Sequence, residues 1–377
     1  MYLDCVARTD GTAGREAIAA ARQQWSRISN LTRSLCVLVM SCVIIVSSGA
    51  IASHARAPPS PPLLPPLPHP WSDTRHLHGT EHASVAYLFT LRDVGAHPLT
   101  RTWTRYFDGC PAGSVRLLSH TDASASPKVS SAPNVFSHST ITPSLKVNRF
   151  TFSLVKARMS LLRHAMNSTH QLGMQPVWAS PSSAPPPSWF LFLSGNCAPL
   201  LPCAEVHRYL KHHSPRSFVS ADRCDDANRL RNASIQMVEK CRKSFGWIGL
   251  HRRAVQRLLL KEKANQPEFL RVGIPDESYW STLLHTEQLP IMGRALTFMS
   301  FDDHGKGHGG GAHPDEFKLN NLASVRRRAL SAGHVFARKF ESSPAMDAAL
   351  EPFVDASNKS ARASDDILQN AKISGSD

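Results

Sequence analysis

Several common signatures are missing from this chain. No two of its eight cysteines have the Cys-x-x-Cys spacing of a zinc site, and there is no zinc-finger or RNA-recognition signature and no internal repeat. Charge is unbalanced, with a net charge of +14 and a pI near 9.7. The basic residues are scattered or lie in short clusters such as 326–328, which is typical of a solvated surface with one anionic-ligand pocket. We therefore predict no nucleic-acid partner.

The N-terminal region contains one long uncharged segment. Residues 35–52 carry no charge over 18 positions, within the ~17–25 that cross a bilayer. Arg15, Arg22, Arg27 and Arg33 precede this run and Arg56 follows it, so the positive-inside rule predicts a cytosolic N-terminus. We expect a signal anchor at 35–52 after a cytosolic tail at 1–34. The alternative is a signal peptide cleaved among the small residues at 50–55.

The remainder of the chain has a stem, a globular region and a tail. Residues 53–83 are proline-dense and predict an extended spacer, residues 84–341 a globular domain, and residues 342–377 a disordered tail. On the translocated side, five cysteines allow two disulfides and one thiol, with the pairing left open. That side also carries three glycosylation sequons, beginning at Asn167, Asn232 and Asn358.

Buried-strand patterns alternate with helical ones in the globular region. We predict strands at 85–91, 115–118, 189–193, 217–220 and 334–340, and helices at 98–107, 152–166 and 206–210. Residues 247–261 read as a strand-like start that leads into a helix. This alternation predicts an α/β domain with a mainly parallel sheet.

Two adjacent carboxylates follow a proline at residues 275–277. Pro275 favours the start of a helix, so Asp276 and Glu277 are expected where a loop turns into a helix. Unpaired amide groups at a helix start stabilise the charged form of an acid. A carboxylate held there can accept the proton of an alcohol, although the same pattern is also that of an ordinary helix start.

Nine segments in order resemble the core-2/I-branching β-1,6-N-acetylglucosaminyltransferase family (glycosyltransferase family 14), which includes xylosyltransferase-like and plant glucuronosyltransferase-like members. The resemblance covers roughly residues 84–341, and its segments are 85–89, 103–107, 120–122, 154–162, 190–200, 247–252, 275–279, 313–314 and 336–340. It implies a GT-A-like, Rossmann-type domain that binds a UDP-sugar and inverts the anomeric carbon. It also implies a Golgi membrane protein of single-pass type II, with the catalytic domain in the lumen.

No metal is expected at the site that the resemblance implies. The chain has no Asp-x-Asp triplet, the usual carboxylate set for a divalent ion on a sugar diphosphate. Fixed cations can stabilise the departing diphosphate instead. The loop at 302–313 contains His304, His308 and His313, which are zinc-ligand types, but no rigid helix spaces them.

The resemblance also assigns residues. It implies that Glu277 is the general base, that Asp276 caps the helix or orients its neighbour, and that Asp122 contacts the uridine. It places a diphosphate-binding lysine at Lys339, with Arg338 beside it. Further residues are implied with less definition: Trp247 and Arg252 as the lining of the substrate cleft, and one of Arg326, Arg327 and Arg328 as a second phosphate-binding arginine.

Three function classes remain open from the sequence. The leading one is an inverting glycosyltransferase that moves N-acetylglucosamine from its UDP-sugar to a glycan or glycoprotein hydroxyl; xylose and glucuronate are alternative donor sugars. The second is a non-catalytic glycan- or nucleotide-binding homologue, suggested by the unusual contexts of Cys197 and Phe301. The third, a nucleic-acid partner, would require residence outside the secretory pathway.

Overall fold

The computed structural model describes residues 83–91, 99–124, 135–136, 139–148, 150–167, 186–224, 230, 232–301 and 314–355. The predicted tail, anchor and stem, the loop at 302–313 and the sequon at Asn358 lie outside these ranges. Within them, no helix combines the length and the apolar character that crossing a membrane requires.

A four-stranded sheet forms the centre of the domain, with strand order β2-β1-β3-β7. β1 (Val85–Leu91) pairs in parallel with β2 (Val115–Thr121) and with β3 (Trp189–Ser194). β7 (Gly249–His251) joins the edge of β3 in the antiparallel direction. The predicted α/β class and the mainly parallel sheet are therefore confirmed.

Side chains alternate between the two faces of this sheet, so that each face has its own core. Tyr87 and Phe89 of β1 pack on one side, and Ala86 and Leu88 on the other. The period of two is that of a strand buried on both faces. Helices cover both faces, which produces three layers.

One helical layer is built from α1 (Thr100–Asp108), α3 (Cys203–His212), α7 (Leu322–Ser331) and α8 (Pro344–Val354). The other contains α2 (Phe152–Met166), α4 (Ile235–Lys240), α5 (Arg252–Phe269) and α6 (Pro275–Thr286). The bounds of α2 agree with the prediction, and its first turn is capped by the Thr151 side chain, which accepts from the Ser153 amide.

Short strands extend the domain beyond the central sheet. β4 (Ala198–Pro199), β9 (Phe336–Ala337) and β8 (Thr297–Phe298) form a small mixed sheet, and β5 (Asp222–Arg223) pairs with β6 (Arg242–Lys243). The strand predicted at 217–220 is wrong, because Ser217 and Phe218 make only isolated bridges, to Ile291 and Gly249. The strand predicted at 334–340 shortens to β9.

Two disulfides are present in the described part of the chain. Cys110 is bonded to Cys203 and Cys224 to Cys241, while Cys197 is a buried free thiol. The Cys110–Cys203 bond joins the segment after α1 to the start of α3. The predicted number of bridges is confirmed, and the structure supplies the pairing that the sequence left open.

The prediction of a disordered tail from residue 342 is wrong for its first part. α8 begins at Pro344, is capped by the Ser343 side chain, and buries Met346, Leu350 and Val354 at helical spacing. Asp347 lies on the same helix with 5% of its surface exposed. Its carboxylate accepts hydrogen bonds from the Arg101 and Thr102 amides at 2.9 and 2.8 Å. Such a tertiary cap is invisible to a local composition argument.

We expect Asp347→Ala to destabilise the domain by about 2–3 kcal/mol, because it leaves buried amide donors at the start of α1 without their charged acceptor. Urea unfolding of the full chain measures the change. Glu351→Ala is the matched control on the same helix, since Glu351 pairs with an Arg101 side chain that is 66% exposed and should cost under about 1 kcal/mol. Equal effects of the two substitutions would contradict the capping role.

Candidate active site

The carboxyl ends of the parallel strands meet at one edge of the sheet. Strand register places Thr121 beside Leu91, and Ser194 beside Thr90. Asp122, which follows β2, and Ser194, which ends β3, are therefore about 10 Å apart across β1. In open α/β sheets, ligands bind in the crevice at this edge.

Asp122 forms a turn at the end of β2. Its Oδ1 accepts from the Ser124 amide at 2.9 Å and from the Ser124 hydroxyl at 2.6 Å. These hydrogen bonds lower the pKa of the Asp122 carboxyl, so the side chain is ionised at neutral pH. A fixed carboxylate at the strand end can accept a hydrogen bond from a hydroxyl or a ring N–H of a ligand.

The predicted carboxylate pair opens helix α6. Pro275 occupies the first helical position, and Asp276 and Glu277 follow in the first turn. The Ser244 amide donates to the Glu277 carbonyl oxygen at 2.8 Å, which ties this turn to the segment after β6. Both acids are half-buried. The helix N-terminus favours their charged forms.

Two guanidinium groups and one indole lie against this helix start. Arg158 of α2 is 1% exposed, and its Nη1 is 3.7 Å from Asp276 Oδ2. The Arg158 guanidinium carbon lies 5.4 Å from the Trp247 ring centre, and that of Arg338 lies 4.4 Å from it. The structure therefore brings Asp276, Trp247 and Arg338 together, with Glu277 in the same turn as Asp276.

Arg338 is anchored to the edge of the central sheet. Its Nε donates to the Ser194 hydroxyl at 3.2 Å, and its amide donates to the Phe298 carbonyl at 2.9 Å. The Cys197 thiol is 3.2 Å from the same hydroxyl. Burial raises the pKa of Cys197, so this sulfur remains a neutral thiol. The cluster is consequently attached to the end of β3.

Lys339 lies at the exposed side of this cluster. Its side chain is 41% exposed, and its Nζ is 4.0 Å from Glu316 Oε1. Lys318 contacts the other oxygen of Glu316 at 2.8 Å. The Lys339 carbonyl accepts from the Phe317 amide at 2.7 Å, which fixes its backbone. An exposed lysine with one long carboxylate contact can turn toward an incoming anion.

Arg252 is not part of the group, and its predicted place in the cleft is wrong. Because β7 is antiparallel to β3, His251 pairs with Trp189, at the opposite end of β3 from Ser194. Five residues of rise separate these ends by about 17 Å. The Arg252 Nε instead donates to the Pro187 carbonyl at 2.9 Å.

The arginines of α7 have structural contacts. Arg326 donates to the Leu200 carbonyl at 3.1 Å and stacks on Phe353 at 4.6 Å. Arg328 stacks on Phe298 at 5.6 Å. None of these contacts reaches the carboxylate pair, so the second cation of the cluster is Arg158 and not a residue of 326–328.

Sequence reasoning missed Arg158 and Gly246. Arg158 lies three residues after Val155 and four before Leu162, so it interrupts the buried stripe of α2, which is the signal that could have found it. A Cβ on Gly246 would lie 2.6 Å from both Nη atoms of Arg158. Glycine is therefore required next to Trp247.

One group of possible metal ligands occurs among the described residues, away from this cluster. Sulfur and imidazole atoms of Cys110, Cys203 and His207 lie within 4.8 Å of one another. The two sulfurs form a disulfide, and a metal ligand must be a thiolate. This group is therefore a covalent link in the structure.

Comparison with known families supports the resemblance seen in the sequence. Residues 179–328 match the family model described as Core-2/I-Branching enzyme. The chain carries a Core-2/I-branching enzyme domain. No curated protein matches the chain. The branching-enzyme match includes Trp247, Asp276 and Glu277, whereas Asp122 lies before it and Arg338 and Lys339 lie after it. Membership identifies a glycosyltransferase family that uses nucleotide-sugar donors and glycan acceptors, and the mixed α/β architecture is consistent with a GT-A-like domain.

Proposed function

We propose that the protein is an inverting, metal-independent glycosyltransferase that moves a sugar, N-acetylglucosamine first, from a UDP-sugar to a glycan or glycoprotein hydroxyl. One observation carries the proposal. Two carboxylates at a helix start lie beside two guanidinium groups and an indole, in the segment of a branching-enzyme domain. Negative groups for proton transfer and positive groups for a diphosphate are what such a displacement needs.

The reaction is a single displacement. The Glu277 carboxylate accepts the proton of the acceptor hydroxyl while that oxygen forms a bond to the anomeric carbon. The bond between that carbon and the diphosphate oxygen breaks on the opposite face, and UDP leaves with the bonding electron pair. Arg338 and Lys339 compensate the charge that develops on the diphosphate, because pre-placed cations need no reorganisation during the reaction.

Two further residues bind the donor in this proposal. Asp122 accepts a hydrogen bond from the uridine, since its carboxylate is ionised and fixed at the end of β2. Trp247 forms the wall against which the sugar ring packs, because an indole face suits the C–H face of a sugar. We place the protein in the Golgi membrane as a single-pass type II protein on the basis of the uncharged run at 35–52.

Donor and metal dependence are measured together. Full-length protein is incubated with UDP-N-acetylglucosamine, UDP-xylose and UDP-glucuronate, with and without EDTA, and release of UDP is measured with an oligosaccharide acceptor. We expect turnover with UDP-N-acetylglucosamine, changed less than about twofold by EDTA, because fixed cations replace the divalent ion. Loss of turnover with EDTA would contradict the metal-independent step. UDP binding without turnover of any donor would instead identify a non-catalytic homologue.

A further inference from the structure

Arg158 is a buried charge that the fold alone satisfies poorly. Burial lowers the pKa of its guanidinium, yet arginine stays protonated in proteins. Its Nε and Nη1 have no hydrogen-bond acceptor, and the nearest Asp276 oxygen, at 3.7 Å, is too far for a hydrogen bond. An apolar side chain of similar volume commonly stabilises such a position better than a charge does. The arginine is therefore better explained by the site than by stability.

Four charged or titratable groups face this guanidinium, from three parts of the fold. Asp276 and Glu277 at the start of α6 stabilise its charge, and Arg338 after β9 opposes it. Cys197 after β3 also faces it and, with its pKa raised by burial, is neutral. Two carboxylates and two guanidinium groups therefore balance. Removal of Arg158 would leave one excess negative charge in a partly desolvated place.

Arg158 also holds the segment that carries the cleft wall. Its guanidinium lies 5.4 Å from the centre of the Trp247 ring and 5.5 Å from that of Phe192. Gly246 has no room for a side chain because of this guanidinium. A single buried residue thus contacts the helix that bears the proposed base, the indole wall and a strand of the central sheet.

We propose that Arg158 is a positioning residue that neutralises Asp276 from beneath α6, so that Glu277 remains the group that accepts the acceptor proton. This inference rests on the proposed function. Arg158 touches neither sugar nor diphosphate. Without it, the uncompensated Asp276 carboxylate repels that of Glu277, and the pair takes up a proton at a higher pH than in the native protein.

The test compares four single variants and one double variant as full-length proteins. Arg158→Met removes the charge at similar volume, and Arg158→Lys keeps the charge without the planar fork. Gly246→Ala displaces the guanidinium from the other side. Lys156→Met, at an exposed position of the same helix, removes one charge away from the site. The double variant R158M/D276N restores the charge balance. Readouts are kcat, donor KM, UDP affinity, the pH–rate profile and circular dichroism.

We expect Arg158→Met to lower kcat about 10- to 100-fold, because small misplacement of catalytic groups has effects of this size. Donor KM and UDP affinity should stay within about threefold, since the change acts on positioning and not on uniform binding. The acidic limb of the pH–rate profile should move to higher pH by about one unit, the size of shift that one nearby charge produces. Gly246→Ala should reproduce the loss, and Lys156→Met should not.

Restoring the charge balance decides between roles. R158M/D276N should recover about tenfold of the kcat that Arg158→Met loses, as expected for two groups that interact directly. Arg158→Lys should retain the native acidic limb even if Arg158→Met does not fold. A parallel loss of UDP affinity, unchanged kcat in Arg158→Met, or a double variant no better than the single one would each overturn the inference. Absence of sugar transfer by the wild-type protein would mark failure of the proposed function itself.

Discussion

Glu277→Gln is expected to lower kcat by about 100- to 10,000-fold, the usual contribution of a positioned general base. The amide has the shape of the carboxylate but cannot accept the proton of the acceptor hydroxyl. UDP affinity should remain within about twofold, because the change lies on the acceptor side of the reaction. Steady-state kinetics with the best donor, together with calorimetric titration of UDP, measure the two quantities separately.

The matched control for this substitution lies at the other end of the same helix. Glu287 follows the last residue of α6 and pairs with Arg257, so Glu287→Gln removes one carboxylate far from the first turn. We expect it to change kcat less than about threefold, as exposed ion pairs contribute little. Native turnover in Glu277→Gln would rule out Glu277 as the base and direct attention to Asp276, the other carboxylate of that turn.

Lys339→Met should produce the second large effect, a fall in kcat of about 100-fold with weaker UDP binding. A cation that meets the diphosphate stabilises the nucleotide in the ground state and more strongly as it leaves, and removal of one such group commonly costs 10²–10³ in rate, written here as an order-of-magnitude estimate. Kinetics and UDP titration across a range of salt concentrations measure the loss. The salt dependence of binding should become shallower, because one ionic contact is gone.

Lys318→Met is a close control, because Lys318 shares the carboxylate of Glu316 with Lys339 and is 51% exposed. It removes the same charge from the same local network, but not from the chain position next to Arg338. Its kcat should stay within about threefold of the native value. If both lysine variants behaved alike, the contribution of Lys339 would be a general surface-charge effect and the diphosphate assignment would be wrong.

Much of the central sheet and its helices could be predicted from local pattern. β1 and β3 are apolar runs of strand length, and α2 combines a capping threonine with helical spacing, so local and tertiary preferences agree. Asp276 and Glu277 were expected at a helix start, because a proline before two acids is a local signal and the fold did not override it.

The failures concern properties that a single segment does not contain. The direction of β7 depends on which neighbour it pairs with, so the sequence could not reveal that Arg252 lies at the far edge of the sheet. α8 is stabilised through Asp347 by the start of α1, some 245 residues earlier in the chain. Arg158 belongs to the same class, since its carboxylate partner is on another helix and only the assembled fold brings the two together.

The bridge between Cys110 and Cys203 has a practical consequence for recombinant production. It closes a loop of 93 residues that includes β2, α2 and β3, which supply much of the central sheet and Arg158. Chain-entropy arguments give such a loop about 4–5 kcal/mol of stabilisation. Protein made in a reducing bacterial cytosol would lack that contribution, so periplasmic or eukaryotic secretion is the appropriate source of enzyme for every assay described above.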